Sequence, residues 1–237
     1  MAVSLRAGVS ILAIAMMGQG EAPASAAKEL ASHWDALKDV RTLSARFICE
    51  KNLADLETPL HSEGRVWIRK GENGREGAVR FSTEKPYVSE LILTDGKVYA
   101  RSQHETEWTK TNQSSRPGLT AVMRQLGGWA TGNASQIEDM YSVSRGDGMP
   151  AMPGAETPES NADVFVLTPS NKDLAKSVKR ITLAIDRTQH TLHYIEILTQ
   201  QDDSTKYWFH DVKTNAELPL DVFKPDGELL VPEGRNP

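Results

Sequence analysis

The last third of the chain, residues 163–223, constrains the fold most, because apolar and polar residues alternate there along several short segments. Alternation with a period of two is typical of β-strands that bury one face. Segments 163–168, 178–186, 191–199 and 204–212 follow this pattern, and turn-forming residues separate them, which predicts antiparallel strands. The residues expected to face inward are Phe165, Leu167, Ile181, Leu183, Ile185, Tyr207 and Phe209.

The earlier part of the chain carries the same alternation. The strands predicted there span 45–51, 62–70, 78–83, 87–94, 97–101, 105–110 and 140–144. Asp95-Gly96 lies between two of them and is a strong hairpin signal. Apolar residues at helical spacing predict a helix over 28–43. About ten strands with close turns therefore predict a mainly β fold with a few helices, such as a sandwich or barrel.

The first 26 residues have the pattern of a cleavable export signal. Arg6 precedes an apolar run over 7–18, and residues 24–26 read Ala-Ser-Ala, a typical cleavage site. A membrane anchor is the alternative, but it needs a longer apolar run. We therefore expect residues 1–26 to be a signal peptide and 27–237 to form a single exported domain.

No motif in the sequence indicates catalysis. The chain has no G-x-S-x-G, no Walker A and no strand-linked G-x-G-x-x-G motif. His190 and His193 would lie on opposite faces of a strand, which argues against a metal site. Basic residues alternate with acidic ones, so no stripe for nucleic acid exists. We expect no enzyme activity, no cofactor and no bound metal, and a buried, unreactive Cys49.

Two segments depart from the strand pattern. Residues 117–130 are apolar at near-helical spacing, with Pro117 at a plausible helix start and Gly127-Gly128 near the end, and we predict a short helix there. Residues 145–163 are rich in Gly, Pro and small residues, and we expect a long exposed loop within one domain.

Several segments, taken in order, match the motifs of one known protein family. GRVWIRK (64–70) is similar to a hairpin of that family, and AVRFSTEKP (78–86) to its strand before a proline. SELILTDGKVYA (89–100) is similar to its hydrophobic strand, Asp-Gly turn and return strand. VFVLTP (164–169) and the closing Phe223-Lys-Pro225 follow in the family's order. Through these motifs the chain resembles the LolA family of periplasmic outer-membrane lipoprotein carriers.

The resemblance implies an unclosed antiparallel β-barrel, or half-barrel, in which an N-terminal helix and a lid helix cover an apolar cavity. Val79 and Phe81 then stand at the family's inward aromatic positions, and Arg69 or Lys70 stands where an arginine latches the lid. The implied cavity residues are Phe47, Val66, Ile68, Val79, Phe81, Leu91, Leu93, Phe165, Ile181 and Leu183. The implied lid residues are Leu119, Val122, Met123, Leu126 and Trp129. Alternation alone does not distinguish a cavity wall from a packed core.

The function implied by the resemblance is that of a periplasmic carrier. It would bind the acyl chains of lipoproteins, or a related lipid, and transfer them from the inner to the outer membrane. The implied partners are the acylated cargo, an inner-membrane ABC-type release complex and an outer-membrane acceptor, and we expect a monomer. A LolB-like acceptor would begin with a lipidated cysteine, whereas we expect the mature chain here to begin at Ala27. A lipid-sensing regulatory module with the same fold would usually add a second domain.

Overall fold

In the described residues, eleven strands form one antiparallel sheet that curves into an open half-barrel. The computed structural model describes residues 23–72, 77–105, 107–111, 127–129, 137–157, 161–219 and 221–225. Among these residues, no helix combines the length and the apolar character that crossing a membrane requires. The prediction of a mainly β half-barrel with an N-terminal helix is confirmed.

The helices and strands follow one another along the chain in the order expected for a meander. Helix α1 is Pro23–Ala36, helix α2 is Ile137–Met140, and a 3₁₀ turn covers Leu174–Lys176. The strands are β1 (Thr42–Asn52), β2 (Leu60–Arg69), β3 (Ala78–Lys85), β4 (Ser89–Thr94), β5 (Lys97–Ser102), β6 (Thr109–Thr111), β7 (Tyr141–Arg145), β8 (Ala162–Pro169), β9 (Val178–Asp186), β10 (Leu192–Thr199) and β11 (Ser204–Thr214).

The first and last strands meet in the middle of the sheet. The spatial order is β6-β5-β4-β3-β2-β1-β11-β10-β9-β8-β7, so every neighbour except the β1–β11 pair is also a neighbour in sequence. Leu43 is opposite Thr214 and Asn52 is opposite Ser204 in that central pair. Within the part of the chain that the structure describes, strands β6 and β7 are the two ends of the sheet and do not pair with each other, so the sheet is open.

The core lies on the concave face, because alternate residues of each strand point there. In β1, the buried residues are Leu43, Ala45, Phe47 and Cys49, and the residues between them are half-buried. Leu30 and Trp34 of α1 pack into the same cluster. Burial of a large apolar side chain contributes about 1.5–3 kcal/mol, so this shared face holds α1 on the sheet.

Helix α1 begins and ends earlier than the predicted 28–43. After Ala36, the N–H groups of Leu37 and Val40 donate to the carbonyls of Trp34 and Leu37 at 3.0 and 2.9 Å, so the backbone turns three residues at a time. Leu37 and Val40 are nevertheless buried, which explains why their spacing resembled a continuing helix. Strand β6 is likewise shorter than the predicted 105–110 and is displaced towards Thr111.

The long loop expected over 145–163 is present at residues 146–157, most of which are exposed, but part of this loop packs against the sheet. Residues 146–157, named the convex strap here, cover an apolar patch on the outer face of the sheet. Met149 is 8% exposed and packs with Tyr194 and Trp208, and the Nε1–H of Trp208 donates to the carbonyl of Pro150 at 3.2 Å. Gly and Pro residues indicate an irregular backbone, but they do not indicate that the segment packs against the aromatic side chains of the convex face.

Candidate functional site

Four aromatic rings form a continuous surface on the concave face. Phe47 of β1 meets Phe81 of β3 edge-on, with ring centroids 5.5 Å apart, and meets Tyr207 of β11 at 5.7 Å. Phe81 and Tyr207 are 5.8 Å apart, and Tyr207 stacks on Phe209 at 6.0 Å. Such ring pairs add about 0.5–1.5 kcal/mol beyond the burial of their area.

Gly64 makes room for this aromatic surface. It is the cross-strand partner of Phe47, and a Cβ at residue 64 would lie 3.0 Å from Phe47 Cζ and 2.9 Å from Thr83 Cα. It would also overlap the backbone carbonyl of Ser82. A side chain here would displace both the ring and strand β3, so the sequence requires glycine where the two strands approach closely.

The concave face retains apolar surface that solvent reaches. Phe81, Leu91, Ile197 and Tyr207 pack against the main core cluster but are only partly buried. They come from four different strands on both sides of the central β1–β11 pair. Phe81 and Leu91 are direct cross-strand partners, and the ring of Phe81 contacts that of Tyr207, so these apolar side chains adjoin one another instead of being scattered singly.

The charged residues of the neighbouring strands point the other way. Arg80 of β3 pairs with Glu90 of β4 at 2.5 Å on the convex face, and Arg101 of β5 lies 3.8 Å from the same carboxylate. Arg65 of β2 pairs with Glu84 at 2.9 Å. Because side chains alternate between the two faces of a strand, the concave side of this half of the sheet is left neutral.

The concave face becomes polar towards one end. Thr83, Ser89 and Ser102 are direct cross-strand partners in β3, β4 and β5, and all three are partly buried. The next residues inward on the same face are Phe81, Leu91 and Ala100, again direct partners. Along each of these strands, the concave face therefore changes from apolar to hydroxyl-bearing side chains over two residue positions.

The residues predicted to line a cavity are brought together. Phe47, Val66, Ile68, Val79, Phe81, Leu91, Leu93, Phe165, Ile181 and Leu183 belong to one concave cluster. Phe81 and Leu91 are partly exposed, and the others are buried. Tyr207 and Ile197 share the exposed surface, although neither was among the predicted cavity residues. The alternation of Ile195 and Ile197 in β10 could have identified Ile197 as an inward-facing residue.

Part of the predicted lid lies across the concave face. Residues 127–129 are helical, and Trp129 is buried with its ring edge-on to Tyr141 of β7 at 6.4 Å. A Cβ on Gly127 would lie 3.0 Å from Val79 Cγ2 in β3. This short segment therefore touches both halves of the sheet. The other predicted lid residues, Leu119, Val122, Met123 and Leu126, lie outside the described residues.

The two latch candidates make contacts elsewhere. Arg69 places its guanidinium carbon 5.0 Å from the centroid of Phe223, in the cluster that Trp67 and Val222 form on the convex face. The Nζ of Lys70 donates to the carbonyl of Lys38 at 2.5 Å, just after α1. The structure does not bring Arg69 to the described part of the lid, and a latch at Lys70 stays a prediction.

A charged cluster, named the α1 anchor here, fixes the helix to the other half of the sheet. It consists of His33 and Glu29 of α1 with Arg145, Asp163, Arg187 and His190. Nε2 of His33 lies 3.2 Å from Asp163 Oδ2, and its Nδ1 lies 2.9 Å from Nδ1 of His190. Arg187 Nε donates to Asp163 Oδ1 at 2.8 Å, and Arg145 pairs with both Asp163 and Glu29.

The environment sets the charge states in the α1 anchor. Burial lowers the pKa of His33 and outweighs the hydrogen bond and charge of Asp163, which raise it. Burial would raise the pKa of Asp163, but its hydrogen bonds and ion pairs with Arg187 and Arg145 lower it further than burial raises it. Near neutral pH, the cluster therefore holds a carboxylate beside a neutral His33.

Sequence reasoning did not find the α1 anchor, because His33 and His190 are far apart in the chain. The sequence drew attention to the His190–His193 spacing instead. His190 has a φ of 58° in the turn before β10, and this conformation directs it towards α1. Cys49 is buried as expected, and burial raises the pKa of its thiol, which also hydrogen-bonds to Tyr207.

A comparison with protein-family models matches residues 38–226 to the family described as "Outer membrane lipoprotein carrier protein LolA". This match covers most of the described sheet, from the turn after α1 to the convex segment around Phe223. No match was found among curated protein sequences.

The solved structures that match this chain have low sequence identity to it. A DUF1329 family protein from Desulfovibrio piger is 10% identical, with 85% of this chain and 97% of that chain covered and a TM-score of 0.47. The Pseudomonas aeruginosa MucA/MucB complex structure is 15% identical, with 83% and 60% covered and a TM-score of 0.47. The Mycobacterium tuberculosis lipoprotein LppX is 13% identical, with 82% and 99% covered and a TM-score of 0.46.

Proposed function

Since this chain belongs to the LolA family, we propose that it is a periplasmic carrier which binds the acyl chains of a lipoprotein, or a related lipid. The observation that carries this proposal is the partly exposed apolar surface of Phe81, Leu91, Ile197 and Tyr207 on the concave face. The proposed role is binding and delivery without catalysis.

The polarity of the concave face suits an amphiphilic cargo. Each methylene of an acyl chain that leaves water contributes about 0.8 kcal/mol, so a few apolar side chains in contact with the chain give measurable binding. The hydroxyls of Thr83, Ser89 and Ser102 at one end can hydrogen-bond to ester or amide groups, whereas apolar rows continue inward. We place the polar linkage of the cargo at this end.

Delivery needs donors and acceptors of cargo beyond the chain itself. We propose an inner-membrane ABC-type complex as the source of the cargo and an outer-membrane acceptor as its destination. The export signal predicted for residues 1–26 would bring the protein to the compartment between the two membranes.

The proposal is tested with Phe81→Glu. A carboxylate at residue 81 would face the acyl chain in an apolar environment, where an unpaired charge is costly. We expect binding of a fluorescent diacylated lipopeptide, measured by titration of the purified protein without its signal segment, to fall by at least about tenfold, which corresponds to 1.4 kcal/mol. Circular dichroism should show the same β content as in the unaltered protein.

Tyr99→Glu is the matched control. Tyr99 is a partly buried aromatic residue of β5, two strands away from Phe81, and it faces the convex side. It should retain lipopeptide affinity within about twofold, well inside the tenfold effect set by 1.4 kcal/mol. Equal loss of affinity in both variants, or equal retention in both, would contradict binding on the concave face.

A further inference from the structure

Helix α1 and the sheet share one hydrogen bond between two histidine rings. Nδ1 of His33 and Nδ1 of His190 are 2.9 Å apart, and His33 is 5% exposed. Asp163 accepts the Nε2–H of His33 on the opposite side of the ring. In a neutral His33 with its proton on Nε2, Nδ1 is an acceptor, and the Nδ1–H of His190 donates to it.

The hydrogen bond between the two rings depends on how many protons they carry. With both rings neutral, one nitrogen donates and the other accepts. With one ring protonated, the remaining neutral ring still supplies an acceptor. With both rings protonated, two N–H groups and two positive charges face each other across 2.9 Å, so the bond is replaced by repulsion.

The other charged groups near the pair do not remove this sensitivity. Asp163 faces His33, but its charge is shared with Arg145 and Arg187. Glu29, the second acidic group of the cluster on α1, is paired with Arg145. Asp186 is buried beside the turn and accepts the N–H groups of Thr188 and Gln189. Each of these carboxylates thus already has other partners when the second ring of the His33–His190 pair takes up a proton.

We propose that the His33–His190 pair is an acid-sensitive anchor that holds α1 against the β7–β10 half of the sheet at neutral pH and releases it when both rings are protonated. Release would withdraw Leu30 and Trp34 from the concave core, because both lie on the same helix as His33. If the proposed carrier function holds, acid would thereby open the concave face and weaken the hold on cargo. The release itself does not depend on cargo.

Hydrogen exchange of the cargo-free protein tests the anchor directly. Exchange of the α1 amides is followed at about pH 7.5 and about pH 5, which bracket the usual histidine pKa of about 6.5, and is corrected for the intrinsic effect of pH. We expect the corrected rate in α1 to rise by at least about tenfold at the lower pH, the factor for one pKa unit of linkage. The amides of the β1–β11 pair serve as the internal reference and should stay protected.

His190→Asn is the informative variant, because asparagine tolerates the positive φ of residue 190 and does not titrate. In this variant the ratio of corrected α1 rates at the two pH values should be clearly smaller than in the unaltered protein, because only His33 can still take up a proton. His61→Asn, at an exposed position in β2, is the control and should keep the ratio of the unaltered protein. Equal ratios in the unaltered protein and His190→Asn would overturn the proposal, as would loss of protection in β1–β11 together with α1.

A second measurement needs no substitution. In an NMR titration of the histidine ring nitrogens, we expect the resonances of His33 and His190 each to respond to protonation of the other ring. Ring-nitrogen resonances that show no influence of one ring on the other would overturn the proposal. Lipopeptide release at about pH 5 then tests the cargo consequence separately. Lipopeptide release at the lower pH without faster hydrogen exchange in α1 would contradict the anchor. Faster α1 exchange at the lower pH, in a protein that binds no lipopeptide at neutral pH, would contradict only the carrier function.

Discussion

Arg80 is a charged side chain that is only 1% exposed. Its guanidinium donates to Glu90 at 2.5 Å and to the carbonyl of Val222 at 2.8 Å, and it lies 5.7 Å from the centroid of Trp108. Three partners from three separate parts of the chain therefore meet at one residue. Such a group is costly to bury alone but is held firmly once all its partners are present.

We expect Arg80→Met to destabilise the protein by about 3–5 kcal/mol, because it leaves the Glu90 carboxylate buried without its closest cation. Urea denaturation followed by circular dichroism measures the change in unfolding free energy. Arg180→Met is the control, since Arg180 forms an exposed pair with Glu196 at 3.5 Å and such pairs contribute about 1 kcal/mol or less. Similar losses in the two variants would argue against the buried pair as the cause.

Gly64 is the second residue where one substitution has a clear physical outcome. Gly64→Ala should cost about 1–3 kcal/mol by overpacking, because the new Cβ meets the backbone of β3 and the ring of Phe47. Gly148→Ala is the matched control, because a Cβ there meets nothing within 4 Å. Thermal melts of both variants check the difference, and equal melting temperatures would mean that β3 shifts without cost.

At the scale of elements, the sequence predicted the strands well and their surroundings less well. Alternation predicted which residues of the strands face inward, because a strand's period of two is visible in the sequence alone, and the ten cavity residues implied by the family resemblance lie together in one cluster. It could not predict that Met149 would cover Trp208, because that contact joins residues that are distant in sequence and depends on how the sheet curves. The α1 anchor was missed for the same reason, since His33 and His190 meet only in the folded chain.

The convex strap makes a prediction at this scale. Met149→Ala should destabilise the protein by about 2–5 kcal/mol, since it removes a buried side chain from the patch beneath the strap. Lipopeptide binding should remain unchanged, because the strap lies on the face opposite the concave site. Chemical denaturation and the binding titration are measured on the same preparation. Lost affinity in a folded Met149→Ala variant would contradict the separation of the two faces.

For the whole molecule, the shifted pKa values predict how stability depends on pH. The pKa of His33 is lowered in the folded state from 6.5, so the unfolded chain binds more protons as the pH falls below that value. His33 should therefore leave the unfolding free energy undiminished above pH 6.5. As the pH falls from 6.5 towards the pKa of His33 in the folded protein, the unfolding free energy should decrease. The pKa of Asp163 is lowered from 3.8, so its contribution is lost only in stronger acid.

Urea midpoints measured between about pH 7 and about pH 5, on either side of the usual histidine pKa, test the first part of this profile. His33→Gln should flatten the dependence, because glutamine can still donate to Asp163 but does not take up a proton. A midpoint that rises as the pH falls, or one that falls equally in both proteins, would show that another group controls stability in this range.

The pairing of β1 with β11 also determines the order in which the sheet can assemble. All other strand pairs join neighbours in sequence and can form as local hairpins, whereas Leu43 must find Thr214 across almost the whole domain. Contacts between such distant residues form slowly, because a long loop must close before any pairing energy is gained. Until β11 arrives, β1 remains an open edge able to pair with another chain. A nascent or truncated chain that lacks β11 would therefore consist of an incomplete sheet prone to association.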